Sequence, residues 1–182
     1  MLTTNLNNLL YILTIAGQIF VILGVIYLFF FRNSQKFIFQ KVHGTLVNFL
    51  TKNAIFLAFV VALVAMSGSL YYSEIAGYRP CDLCWFQRIF MYPQVFLLGL
   101  AWLKKQNYII DYSLFLIGIG TIISIYHNYI YYSAQTSSFC SITTPCTQSF
   151  LTGYGYITIP LMSLTAFLMI AVLLINKRLK LS

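Results

Sequence analysis

Five stretches of the chain are almost uninterrupted by polar side chains: residues 9–31, 54–72, 84–103, 112–132 and 156–175. Each is close to the roughly 20 apolar residues that a helix needs to cross the hydrocarbon of a bilayer, so the pattern predicts five transmembrane helices. The first and last runs are the cleanest. The third contains Gln87, Arg88, Pro93 and Gln94, and the fourth contains His127 and Asn128. Polar groups at that depth are costly against lipid, so these two helices are expected to turn their polar faces inward.

Composition points the same way. The chain of 182 residues is 60% hydrophobic and 8% charged, with a mean hydropathy of +0.82, a balance that a soluble domain of this size does not need for its core. The expected fold class is therefore an all-α integral membrane protein. The formal net charge of +8 would suit a nucleic-acid partner, but the placement of the charges argues for membrane lipid instead. Nine of the eleven basic residues fall in three groups: Arg32, Lys36, Lys41 and Lys52; Lys104 and Lys105; Lys177, Arg178 and Lys180. By the positive-inside rule all three are cytoplasmic. Five spans starting outside satisfy this together, leaving the N-terminus, the 73–83 loop and the 133–155 loop extracytoplasmic. Met1–Asn8 lacks a basic residue, and the first run is longer than a signal-peptide core of about 7–15 residues, so a retained helix is expected there. Segment 32–53, with Phe37, Ile38 and Phe39 among its bases, reads either as an amphipathic stretch on the inner leaflet or as a solvated connector. No internal repeat or low-complexity tract stands out.

The cysteines narrow the chemistry. Cys81 and Cys84 stand in C-x-x-C spacing at the outer mouth of the third run, and Cys140 and Cys146 follow in the 133–155 loop. All four are then extracytoplasmic, where disulfides persist. Two structural disulfides are one reading. A four-cysteine zinc site is another, although the gap from Cys140 to Cys146 is wider than is usual for a second half-site; no metal is expected. The third reading is a redox relay. If a helix begins at Pro80, its first N–H groups and the positive end of its dipole point towards the thiols and favour the reactive thiolate. Arg88 shares a helical face with them, since 81, 84 and 88 are i, i+3 and i+7. There it can stabilise a thiolate or donate hydrogen bonds to a ligand's carbonyl, unless it snorkels to lipid phosphates. His127 lies at a comparable depth on the fourth span, so that the two side chains are candidates for one ligand; a packed, hydrogen-bonded histidine is the plainer alternative. Between Cys140 and Cys146, Pro145 allows a short exposed bridge without demanding it.

The run Pro80-Cys81-Asp82-Leu83-Cys84-Trp85-Phe86-Gln87-Arg88, followed by Met91-Tyr92-Pro93, resembles the motif of the disulfide bond formation protein B (DsbB) family. Pro145-Cys146-Thr147 and Gly155-Tyr156-Ile157-Thr158-Ile159-Pro160-Leu161 look like its short-loop, BdbC-like branch, best known from Gram-positive bacteria. The likeness covers about residues 54–175. It implies a four-helix transmembrane bundle in a bacterial plasma membrane, which binds quinone (ubiquinone or menaquinone) and reoxidises a DsbA-like thioredoxin-fold thiol oxidase. By position, Cys84 resembles the cysteine that reacts with quinone, Cys81 its disulfide partner, and Arg88 the arginine of the quinone site. His127 matches the family's polar position more loosely. Cys140 resembles the cysteine that meets the partner protein, and Cys146 the one that exchanges with Cys81.

The chain is thus divided into residues 1–53, an additional N-terminal transmembrane helix with a basic cytoplasmic segment, and residues 54–182, a thiol:quinone oxidoreductase unit. A vitamin K epoxide reductase homologue is the nearest enzymatic rival, but there the loop pair precedes the membrane C-x-x-C, and here it follows. A non-enzymatic membrane protein with two structural disulfides is the rival from another class.

Overall fold

The computed structural model describes residues 2–28, 48–133, 140, 146–147 and 153–181. It is built from helices α1 (Leu2–Ile26), α2 (Ala54–Leu70), α3 (Asp82–Lys104), α4 (Ile109–Ser133) and α5 (Ile159–Leu181). A π-helical turn, Tyr71–Ile75, prolongs α2 into what the apolar pattern reads as loop. All five expected helices are present. The last one starts later than residue 156, because Gly153 and Ile157 close a tight turn with paired backbone hydrogen bonds of 2.9 Å. That turn places Tyr154 at φ 49° and Gly155 at φ 81°, and glycine meets the second requirement without strain. Arg32, Lys36, Lys41, the Phe37–Phe39 stretch, the end of the first run and Pro145 lie outside the described residues.

Helices α2, α3, α4 and α5 form a closed bundle in cyclic order, each packed on its sequence neighbour and α2 packed on α5, while α1 lies outside the ring against α5. Ala54, Ala58 and Ala62 are fully buried on one stripe of α2. Such small residues let helix backbones approach where lipid supplies no hydrophobic drive. Between α4 and α5, the ring of fully buried Phe167 occupies the space a side chain at Gly120 would need, 2.4 Å from where its Cβ would stand. Lys105, in the left-handed region at φ 52°, ends α3 and permits the short link to α4.

The polar residues of the third and fourth runs do face inward: Gln87, Gln94, His127 and Asn128 are all buried. Among the described residues four helices, α1, α2 (with its π turn), α4 and α5, are each long and apolar enough to cross a membrane. Helix α3 has the length, at 23 residues, but it carries the polar groups, and it is shielded by packing on α2 and α4. The protein is an all-α, multi-pass membrane protein, a four-helix bundle with an additional N-terminal helix. Its cysteines gather where α3 begins and α4 ends. The opposite end carries Lys104, Lys105, Lys177 and Lys180; there Lys180 donates to Asn48 Oδ1 at 2.7 Å, and Arg178 pairs with Asp111 across exposed surface at 2.8 Å.

Candidate active site

Cys81 is the N-cap of α3, with extended backbone at φ −72°, ψ 170°. Pro80 therefore sits one residue ahead of the cap and not in the first turn. The first helical bond runs from Trp85 N–H to the Cys81 carbonyl at 3.1 Å. Cys84 thus lies in the opening turn, among the free backbone N–H groups at the helix start. The two sulfurs are 2.8 Å apart. On the other side of Cys81, His127 Nε2 lies 3.7 Å from its sulfur, and the Gln87 side-chain amide donates to His127 Nδ1 at 3.1 Å. With Nδ1 accepting, the ring proton sits on Nε2 and points at Cys81.

Cys81 precedes the spanning part of α3. The hydrogen bond from Cys84 and then that from His127 hold its thiol below the ordinary range, against the opposing pull of burial. Alkylation of Cys81 in the reduced protein should therefore have its pH midpoint well below about 8.5, the value of a free thiol, because only the thiolate reacts. His127→Phe should move that midpoint upward. Iodoacetamide labelling followed by peptide mass spectrometry checks both, and a wild-type midpoint at or above 8.5 would contradict the arrangement.

Arg88 turns to α2. Its Nε donates to Ser69 Oγ at 2.9 Å, its Nη2 donates to the Ser69 carbonyl at 3.0 Å, and its guanidinium lies 5.2 Å from the centre of the Trp85 ring. Tyr92 also donates to Ser69 Oγ, at 3.4 Å. Ser69 on α2 is the anchor of this cluster. Nothing in the sequence marks it, whereas Gln87 was findable from phase, since it lies i+3 from Cys84 and so on the same helical face.

Cys140 and Cys146 are joined in a disulfide. The sequence reading treats that bridge as exposed; the structure corrects this for one of its ends. Cys146 is 5% exposed and packs in one cluster with Cys81, Leu83 and Ile130, while Cys140 is only partly covered. Cys81, Cys84, Arg88, His127 and Cys146 all line one cavity of about 340 Å³, so every predicted site residue but Cys140 opens onto a single space. The ligating atoms of Cys81, Cys84 and His127 lie within 4.8 Å of one another, as a metal site would require. Two thiolates on a tetrahedral zinc, however, stand about 3.8 Å apart given a Zn–S length of about 2.3 Å. At 2.8 Å this pair is set closer.

A dithiol in a helix mouth, a disulfide packed against it and an apolar bundle around both define a membrane disulfide-generating protein. The sequence matches the family described as "Disulfide bond formation protein DsbB" over residues 51–176, and the chain belongs to that family. It is 41% identical over 125 residues to a "Probable disulfide formation protein" of Oceanobacillus iheyensis, covering 67% of this chain and 86% of that one. It is 45% identical over 121 residues to "Probable disulfide formation protein C 1" of Bacillus cereus, covering 65% and 87%. With "Disulfide bond formation protein C" of Bacillus subtilis it shares 41% over 123 residues, covering 65% and 87%. No solved structure matches the chain.

Proposed function

We propose that the protein is a protein-dithiol:quinone oxidoreductase of a bacterial plasma membrane, which reoxidises an extracytoplasmic DsbA-like thiol oxidase. The carrying observation is that Cys146 and the Cys81–Cys84 pair face the same cavity as Arg88. A site of this kind suits a quinone: its volume lies in the range of about 300–1,000 Å³ usual for small-molecule sites, and its walls are apolar with a few convergent polar groups. Bound there, a quinone supplies an acceptor for two electrons and two protons.

The chain's own part begins at Cys140, the accessible sulfur of the loop bridge. A thiolate of the reduced partner attacks it, the Cys140–Cys146 bond breaks, and the mixed disulfide resolves to leave the partner oxidised and the loop pair as dithiol. Cys146 as thiolate then attacks Cys81 of an oxidised Cys81–Cys84 bridge, and Cys140 resolves it, which restores the loop disulfide and reduces the membrane pair. Cys84, in the first turn of α3, is the leaving sulfur. His127, positioned by Gln87, stabilises negative charge on Cys81. Arg88, held by Ser69, presents its remaining N–H groups to the cavity for a ligand's carbonyl oxygen. When the Cys81–Cys84 bond re-forms, two electrons and two protons pass to the acceptor. The exchanges run near balance, and the drive comes from the last step, since for a two-electron couple each 30 mV is about 1.4 kcal/mol.

The positive-inside rule supports the orientation, since Lys104, Lys105, Lys177 and Lys180 lie at the end of the bundle opposite the thiols. Anaerobic mixing of the fully reduced, four-thiol protein with ubiquinone and menaquinone analogues should consume two equivalents of at least one of them, one per dithiol, followed by quinone absorbance. Consumption of neither would sink the assignment.

A further inference from the structure

Helix α1 lies outside the family match, which begins at residue 51, yet it takes part in the cavity. Leu10, Leu13 and Thr14 line it together with Val64 and Ala65 of α2 and Met169 of α5. The helix is fixed in that place from several sides. Gly17 admits Met169, whose Sδ lies 2.6 Å from where a Cβ would stand, and Gly24 likewise admits Val172 at 2.5 Å. Tyr72 donates to Asn7 Oδ1 at 3.0 Å, and Tyr156 donates to Gln18 Oε1 at 3.2 Å. Thr14 donates its hydroxyl to the Leu10 carbonyl at 2.7 Å, so the one hydroxyl among these three α1 residues is already satisfied and the wall offers mainly carbon. Along α2 the cavity extends from Ser69 to Val60, nine residues or roughly 13 Å of rise. Only the Ser69 end holds Arg88 and the thiols.

We propose that α1 closes this apolar arm on its outer side and contacts the polyprenyl tail of a bound quinone, so that Leu10, Leu13 and Thr14 set which tails are accepted. The inference rests on the proposed function for the identity of the ligand. An apolar chain fits the arm because its walls offer it no free donor or charge, and because the arm is continuous with the end where a polar ring would meet Arg88. Packed against these walls, the tail makes van der Waals contacts that a ring alone cannot make.

Photolabelling of the wild-type protein tests this directly, using a naphthoquinone with a two-isoprene tail ending in a diazirine. The expected label falls on the peptide carrying Leu10–Thr14 as well as on α2 or α5; label confined to α2 and α5 would overturn the proposal. In parallel, Leu13→Trp, by crowding the arm, should raise the Kd for menaquinone-2 about tenfold by calorimetry in micelles, and leave that for menadione, the same ring without a tail, within twofold. Equal change for both, or no change for either, would also overturn it. Menadione separates the two levels of inference. If the wild type binds and reduces menadione but α1 affects no tail, only this inference fails; if the wild type binds neither quinone, the proposed function fails and this falls with it.

Discussion

Cys84→Ser protein should lose quinone reduction by at least about a thousandfold, the scale seen when a covalent participant is removed, while its Cys140–Cys146 bridge still forms. The sulfur of Cys84 is 2.8 Å from that of Cys81, and Cys81 and Cys146 occupy one packed cluster with Cys84 at its margin. A serine in its place keeps the helix turn and the cavity wall but offers no sulfur to re-form the membrane disulfide. The loop pair does not depend on residue 84 for its own geometry. Stopped-flow quinone absorbance measures the first effect, and mass spectrometry of alkylated, unreduced protein the second. A normal reduction rate in purified Cys84→Ser protein would remove Cys84 from the relay.

The second large effect should come from Arg88. Arg88→Met should raise KM for quinone and lower kcat/KM by about a hundredfold, the usual loss when one aimed donor to a developing oxyanion is removed. Arg88→Lys should recover little of this. The guanidinium uses Nε on Ser69 Oγ and Nη2 on the Ser69 carbonyl and still has N–H groups for the cavity, whereas a lysine ammonium lacks that planar fork. Ser69→Ala should give a smaller loss, because it loosens the guanidinium without removing it. Steady-state kinetics with a short-chain quinone separate these outcomes. Unchanged KM in a folded Arg88→Met protein, with its free-thiol count intact, would show that Arg88 is only a structural tie to α2.

Much of this arrangement is legible in the chain because a bilayer is a severe solvent. It demands runs of a set length, and α1, α2, α4 and α5 announce themselves by meeting it. Helix α3 is weaker as a signal, since its polar residues answer to neighbours that the local pattern does not contain. The grouping of Cys81, Cys84 and Arg88 follows from helical phase alone. The anchoring of Arg88 on Ser69, the hold of His127 on Cys81, the burial of Cys146 and the wall made by α1 do not, because each depends on which helix lies beside which. The turn at Gly153–Ile157 was hidden for a different reason: residues 156–158 continue an apolar run, and only the backbone pairing from Gly153 shows that they are not yet helix.

The unequal cover over the loop bridge has a consequence for how such a protein would live in its surroundings. Cys146 is 5% exposed and Cys81 7%, while Cys140 stands partly open. A small thiol from outside would meet Cys140 first, and with no protein surface to hold it there, the mixed disulfide would be expelled by Cys146 before electrons moved inward. Only a partner with a second thiol to attack the mixed disulfide would complete the exchange. Under the proposed relay, the buried half of the bridge would favour a partner that brings two thiols over a reductant that brings one.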